Sequence, residues 1–332
     1  MNDKEVCWGI IGVGNVCEKK SAPAMNKIPG SRIAAVMRRD GKKARDYAMR
    51  HDIPRWYDDA DALLADPEIN AVYVAAPPYA HLEITRKAAA AGKPVYVEKP
   101  MARTYQECLE MIDACNKANV PLFVAYYRRM LPNYLKIKQL VDNGTIGDIR
   151  TVHIRMSKPV NPDFDRSPAN WRVNPDLAGG GYFYDLASHQ LDFLDHLLGP
   201  INIATGFASN QAGLYKAEDI VTGTFCFHNG VHGTGNWCFS AAECAAEDLT
   251  IVIGSRGVIS WPTFSASYVD VQTNAGPLRL HFDMPAHIQQ PLIETIVRDL
   301  RNENGKNYQL SPSTGITAAR TNRVMEAITK NW

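Results

Sequence analysis

The chain has 332 residues and is 45% hydrophobic, enough to bury more than one core, so two domains are expected. With 36 basic against 35 acidic residues there is no electrostatic case for nucleic acid or an anionic membrane as partner. Seven cysteines, odd in number and without a Cys-x-x-Cys pair, argue against a disulfide framework and a zinc site, and a reducing, cytoplasmic setting fits best. Met1 to Val6 is polar, and Gly9, Gly12 and Gly14 interrupt the apolar stretch that follows, unlike a signal peptide or a membrane span.

In chain order, Val6 to Ile11 reads as a buried strand closed by Gly12-Val13-Gly14, followed by a helix to about Ile28. Strands at Ile33 to Met37, Asn70 to Ala76, Val95 to Val97 and Leu122 to Ala125 alternate with helices at Lys42 to His51, Tyr79 to Ala91 and Tyr105 to Ala118. Such alternation implies βαβ units and a parallel sheet covered on both faces, a doubly wound α/β domain over residues 1–126. Beyond Tyr126 come strands at Thr151 to Lys158, Ile203 to Ala212, Ile220 to Phe227, Val231 to Phe239, Leu249 to Ile253, Tyr268 to Thr273 and Leu278 to Phe282. Asn229-Gly230 between two of them predicts a hairpin with a primed turn. With helices at Phe183 to Leu198, His287 to Arg301 and Gly315 to Lys330, residues 127–332 read as an α+β domain on a large, mostly antiparallel open sheet.

Gly12-x-Gly14-x-x-Cys17 follows a strand and opens a helix, so the turn and the first helical residues, Asn15 and Val16, suit a dinucleotide pyrophosphate. Cys17 replaces the third glycine of the usual fingerprint. The second strand ends in Met37-Arg38-Arg39-Asp40, where arginine pairs with a 2′-phosphate and an acid accepts from the ribose; the positive pair favours NADP over NAD.

Two further segments carry chemistry. Val95-Tyr-Val-Glu98-Lys99-Pro100 ends a buried strand in a lysine that, partly desolvated in a cleft, suits acid/base or carbonyl-polarising work. Gly179-Gly180-Gly181 frees a loop beside a ligand and precedes a helix on which Asp185, His189 and Asp192, spaced i, i+4 and i+7, share a face. A carboxylate and an imidazole one turn apart can bind a hydroxyl and move its proton. No metal site is expected, because same-face ligands are few.

Together, Gly9-Ile-Ile-Gly-Val-Gly14, Pro77-Pro78-Tyr79-Ala80-His81, Glu98-Lys99-Pro100, Trp171-Arg172 and the glycine-triplet helix resemble the glucose-fructose oxidoreductase / inositol dehydrogenase / rhizopine-catabolism (Gfo/Idh/MocA) family. The resemblance runs through Leu310-Ser-Pro-Ser-Thr-Gly315 and the final helix. It implies a Rossmann domain, an open C-terminal sheet that forms a homodimer or homotetramer interface, and NAD(P)-dependent hydride transfer at a secondary alcohol or carbonyl of a sugar, cyclitol or related polyol. By motif, Lys99 is the cleft lysine, His189 the proton donor or acceptor and Asp185 the residue that orients hydroxyls. Glu98 lies near the nicotinamide ribose, and Pro77 and His81 sit beside the cofactor; Pro78 stands where the family commonly has Asn. Tyr126, Arg129, Trp171 and Arg172 fall where substrate contacts are expected, and the proline-rich Lys158 to Ala178 loop, with Pro159, Pro162, Pro168 and Pro175, is expected to cover the cleft. Two other readings keep the same turn: a glycoside hydrolase that uses bound NAD for transient oxidation, and a dinucleotide-binding sensor without chemistry.

Overall fold

The computed structural model describes residues 5–167, 170–302 and 311–330. Pro168 and Leu310, both named above, lie outside the described residues. The chain forms two compact units: Met1–Ala102, Gln106–Tyr127 and Pro285–Ala319 in the first, and Arg103–Tyr105, Arg128–Met284 and Arg320–Trp332 in the second. Linear order places all of 127–332 in a second domain; the units are instead interleaved, and the segment 285–319 packs with the first.

The first unit carries six parallel strands, β1 (Val6–Ile11), β2 (Ser31–Met37), β3 (Arg55–Tyr57), β4 (Ala71–Val74), β5 (Val95–Val97) and β6 (Leu122–Val124), in the order β3-β2-β1-β4-β5-β6. Every residue of β1, β4, β5 and β6 is buried, as expected for strands covered on both faces. The strand order reverses between β1 and β4, and doubly wound sheets bind ligands outside the carboxyl ends of the strands at such a point. The helix expected up to Ile28 is broken into Asn15–Lys19 and Ala22–Met25. Pro23 lies in the first turn of the second piece and has no N–H for the Lys19 carbonyl, so one continuous helix cannot form.

The second unit holds an eight-stranded sheet of β7 (Ile149–Pro159), β8 (Ile201–Ser209), β9 (Ile220–Phe227), β10 (His232–Ala241), β11 (Glu247–Gly254), β12 (Gly257–Trp261), β13 (Tyr268–Thr273) and β14 (Gly276–His281). Its order is β14-β13-β12-β11-β7-β10-β9-β8, antiparallel except where β10 runs parallel to β7. The β9–β10 hairpin forms, but not with a primed turn. Gly230 N–H donates to Phe227 O and only Gly230 takes positive φ, +86°, leaving a three-residue loop of type I geometry closed by a left-handed glycine. A π-helical turn, Phe183–Ala187, leads into the helix Ser188–Leu198, which packs on the sheet through Phe183 against Trp237 and Phe193 against Trp261. Trp237 Nε1 donates to Gln190 Oε1 at 2.8 Å, so the buried indole N–H is paired.

His196 on that helix is pushed down to about 4 by burial, with Arg129 and Lys138 adding repulsion. Its folded value lies below the ordinary 6.5, so protons bind the unfolded chain first. Stability present above pH 6.5 is therefore lost as pH falls towards 4, by up to about 3 kcal/mol. His196→Gln is expected to flatten the urea-unfolding profile across this window; equal slopes in both proteins would contradict the assignment.

No helix among the described residues is long and apolar enough to cross a membrane. Nor do the described residues contain a group of three His, Cys, Asp or Glu placed to hold a metal ion.

Candidate functional site

The loops after β1, β2, β4 and β5 leave the carboxyl ends of their strands. After β1, Gly12 takes φ +95°, and a Cβ there would stand 2.7 Å from Ala76 N, so only glycine lets the β1 and β4 loops touch. Gly14 is extended and precedes the helix Asn15–Lys19; a Cβ on it would meet nothing nearer than Gly12 O at 3.9 Å. That open cradle above backbone N–H groups is the shape a pyrophosphate needs. Cys17 serves the third glycine's packing role: it is fully buried, and burial pushes its thiol up to about 12, which keeps it neutral and inert.

After β2, Arg38 Nη1 donates to Val13 O at 3.2 Å, and Arg39 Nη2 donates to Tyr79 Oη at 2.8 Å. The arginines thus reach back to the glycine turn and across to the β4 loop. Asp40 turns the other way, capping the helix Gly41–Arg50. Its carboxylate accepts from Lys43 N–H at 3.2 Å and lies 3.4 Å from Lys43 Nζ, contacts that hold its pKa below the usual carboxylate value.

After β4, Pro77 precedes a short 3-10 turn, Pro78–Ala80, that leads into the helix His81–Ala90. His81 is wholly buried, with Nε2 2.7 Å from Ala76 O and Nδ1 3.0 Å from Met101 O, and burial lowers its pKa. Both ring nitrogens face backbone carbonyls, so the imidazole braces the β4 loop against the loop after β5. In that last loop Glu98 is buried and Lys99 half-buried, and Lys99 N–H donates to Glu98 Oε2 at 3.2 Å. Tyr73 O–H donates to Glu98 Oε1 at 2.5 Å, and Gln289 Nε2 donates to the same oxygen at 2.7 Å.

In the second unit the three glycines make room for protein and not simply for a ligand. Cβ atoms on Gly179, Gly180 and Gly181 would meet Arg103 O at 2.7 Å, the Tyr184 ring at 2.5 Å and Ala217 Cβ at 2.6 Å. Asp185 lies within the π turn at 183–187, whereas His189 and Asp192 lie three residues apart on the α-helix that follows it. Asp185 stays partly exposed and pairs with Arg172, Nε to Oδ2 3.2 Å; the Arg172 guanidinium lies 4.7 Å from the Trp171 ring centre. Trp171, Arg172 and Asp185 therefore form one cluster. His189 is 3% exposed, its ring edge-on to Phe264 at 5.8 Å. The Asp248 carboxylate accepts from the N–H groups of Thr263, Phe264 and Ser265 at 2.9, 2.6 and 2.9 Å, fixing the loop that carries Phe264. Nothing in the sequence pattern marks Phe264.

Asp192 turns inward to Arg129, whose Nε and Nη2 donate to Oδ2 at 2.9 Å and Oδ1 at 2.6 Å. Both side chains are 1% exposed, so Arg129, expected among the substrate contacts, belongs to the interior ion pair. Tyr126, expected with it, is likewise buried, at 0% exposure, in the first unit.

Taken together, the glycine cradle, the helix start, the arginine pair and the buried Glu98 fit a nicotinamide dinucleotide. A family model described as an oxidoreductase family with an NAD-binding Rossmann fold matches residues 6–126, and the GFO/IDH/MocA C-terminal domain matches residues 134–260. Oxidoreductase P35 of Formosa agariphila is 41% identical over 297 residues, which cover 89% of this chain and 91% of the relative. An uncharacterized oxidoreductase of Bacillus subtilis, YrbE, is 30% identical over 98% of this chain and 93% of its own length. The crystal structure of aldose-aldose oxidoreductase from Caulobacter crescentus, complexed with glycerol, matches with a TM-score of 0.86 at 25% identity, covering 98% of this chain and 96% of that one. Sequence and fold agree that the chain is an oxidoreductase of the GFO/IDH/MocA family with an NAD-binding Rossmann fold.

Proposed function

We propose that this enzyme prefers NADP(H) and moves a hydride between nicotinamide and a secondary alcohol or carbonyl carbon of a sugar, cyclitol or related polyol. The cofactor preference is carried by the loop after β2. An NAD-preferring loop there offers a carboxylate to the ribose hydroxyls. Here Asp40 is engaged by Lys43, and the groups that reach towards the glycine turn and the β4 loop are the guanidinium ends of Arg38 and Arg39. The substrate class is supported by the aldose-aldose oxidoreductase of Caulobacter crescentus and by the Asp185–Arg172–Trp171 cluster, which offers hydroxyls a carboxylate, a charged donor and an apolar ring face.

Oxidation of a carbinol removes a hydride and the hydroxyl proton, and bound nicotinamide supplies the two-electron acceptor. The chain's own residues handle the oxygen. His189 takes the hydroxyl proton and returns it in the reductive direction. Lys99, just past the end of β5, is the group in the first unit suited to donate a hydrogen bond to a reacting oxygen and oppose the build-up of negative charge as a proton leaves. Asp185, held by Arg172, accepts from a neighbouring hydroxyl and sets the ring's orientation.

Thermal shift with NADPH and NADH tests the cofactor assignment. NADPH is expected to raise the melting temperature more, in line with roughly tenfold tighter binding or about 1.4 kcal/mol, and Arg39→Ala to narrow the gap. A larger shift with NADH would overturn it.

A further inference from the structure

Gln289 comes from the segment 285–319, which lies in sequence between two stretches of the second unit and packs with the first. It is fully buried, and its amide has a fixed polarity. Tyr96 O–H donates to Oε1 at 2.8 Å, which turns the NH2 end towards Glu98, where Nε2 donates to Oε1 at 2.7 Å. Tyr73, stacked on Tyr96 with ring centres 4.9 Å apart, donates to the same Glu98 oxygen. Burial raises both phenols well above their usual pKa, so they remain donors. The second Glu98 oxygen accepts from Lys99 N–H.

The backbone of this segment makes a second attachment. Gln289 N–H donates to Lys20 O at 3.2 Å, and His287 Nδ1 lies 2.8 Å from Lys19 O. Those carbonyls stand at the far end of the helix that begins at the glycine turn. Residues 287–289 thus tie the phosphate-binding helix to the Glu98 carboxylate. In a sheet ordered β3-β2-β1-β4-β5-β6 a dinucleotide bound across the switch point would set its adenosine half towards β1 and β2 and its nicotinamide half towards β4 and β5. Glu98, at the end of β5, is on the nicotinamide side.

We propose that Gln289 is a positioning residue for the nicotinamide half of the cofactor, holding Glu98 in the orientation that receives the nicotinamide ribose. The proposal rests on the reading that Glu98 lies beside that ribose. It goes beyond the glycine turn and strand-end motifs, since Gln289 belongs to neither.

The test separates the two halves of the cofactor. Gln289→Met keeps the length and removes both side-chain hydrogen bonds; Gln289→Glu keeps the shape but replaces the N–H donated to Glu98 with a carboxylate oxygen. Purified variants are titrated with NADPH, followed by nicotinamide fluorescence, and separately with 2′,5′-ADP, which carries the adenosine half alone. Both variants are expected to bind NADPH roughly tenfold more weakly and 2′,5′-ADP unchanged. Tyr96→Phe, which removes only the hydroxyl that orients the amide, is expected to move NADPH the same way by less, and it decides the matter should the Gln289 variants fail to fold. Equal weakening of both ligands, or of neither, overturns the proposal. Glu98→Gln separates the underlying reading: unchanged NADPH binding in that variant removes the ribose role of Glu98 itself. Weakened binding there with wild-type binding in Gln289→Met overturns only the assignment to Gln289. Should NADH bind more tightly than NADPH, NADH and ADP take the places of the two probes.

Discussion

His189→Ala and Lys99→Ala are each expected to lower kcat by roughly 10²–10⁴-fold while leaving NADPH binding close to wild type. The imidazole is 3% exposed and set against Phe264, in a loop pinned by three N–H donors to Asp248. A ring held in this way loses little entropy when a hydroxyl is presented to it, which suits a proton carrier. Lys99 follows a strand buried throughout, and its own N–H is fixed on Glu98, so its side chain starts from a rigid base. Because both groups are proposed for the same chemical step, their losses should not add: the double variant is expected to be about as slow as the worse single one. Steady-state rates on a polyol substrate, with melting temperatures to exclude misfolding, check this. Wild-type turnover in either single variant would remove that residue from the mechanism.

Arg129→Met is expected to destabilise the second unit by about 3–5 kcal/mol, the cost of leaving a buried carboxylate without its cation. Burial already pushes Asp192 up to about 6 against the pull of Arg129, and the remaining partner, Thr321 Oγ1, donates at 3.3 Å. Removing the guanidinium leaves desolvation without its main counterweight. A paired change, Arg129→Met with Asp192→Leu, is expected to recover most of the loss, since well-packed apolar side chains often replace a buried ion pair at little cost. Urea unfolding of the wild type, the single and the double variant measures both numbers. A single-variant loss below about 1 kcal/mol would mean that the pair is solvated or dispensable.

The parts of the molecule legible in sequence are those written in local periodicity. Apolar runs of three to six residues locate β1, β4 and β5, and the Gly12 turn is readable because its strand and helix flank it directly. Other elements left a weaker trace. β3 has the same three-residue length as β5 but, with Trp56 exposed at 42%, lacks the wholly buried apolar run that marks β5. The helix Pro132–Asp142 went unassigned although Pro132 occupies a first-turn position that favours it. The π turn at 183–187 has no periodic signature, so a 3.6-residue count does not describe the step from Asp185 to His189. Pairings across long separations were invisible for a different reason. Arg129 meets Asp192 63 residues away, and Gln289 meets Glu98 191 residues away, and no window of local sequence contains both partners.

Net hydride transfer to or from a carbohydrate-like alcohol or carbonyl is the proposed reaction. The direct measurement is nicotinamide absorbance during incubation of the enzyme and NADP with a panel of polyols and cyclitols, and of the enzyme and NADPH with ketoses, alongside chemical identification of the product. One equivalent of carbonyl is expected for each equivalent of NADPH produced, or the reverse, with loss of both signals in His189→Ala. Cleavage of a glycoside without net change in absorbance, or tight NADPH binding with no turnover anywhere in the panel, would contradict it.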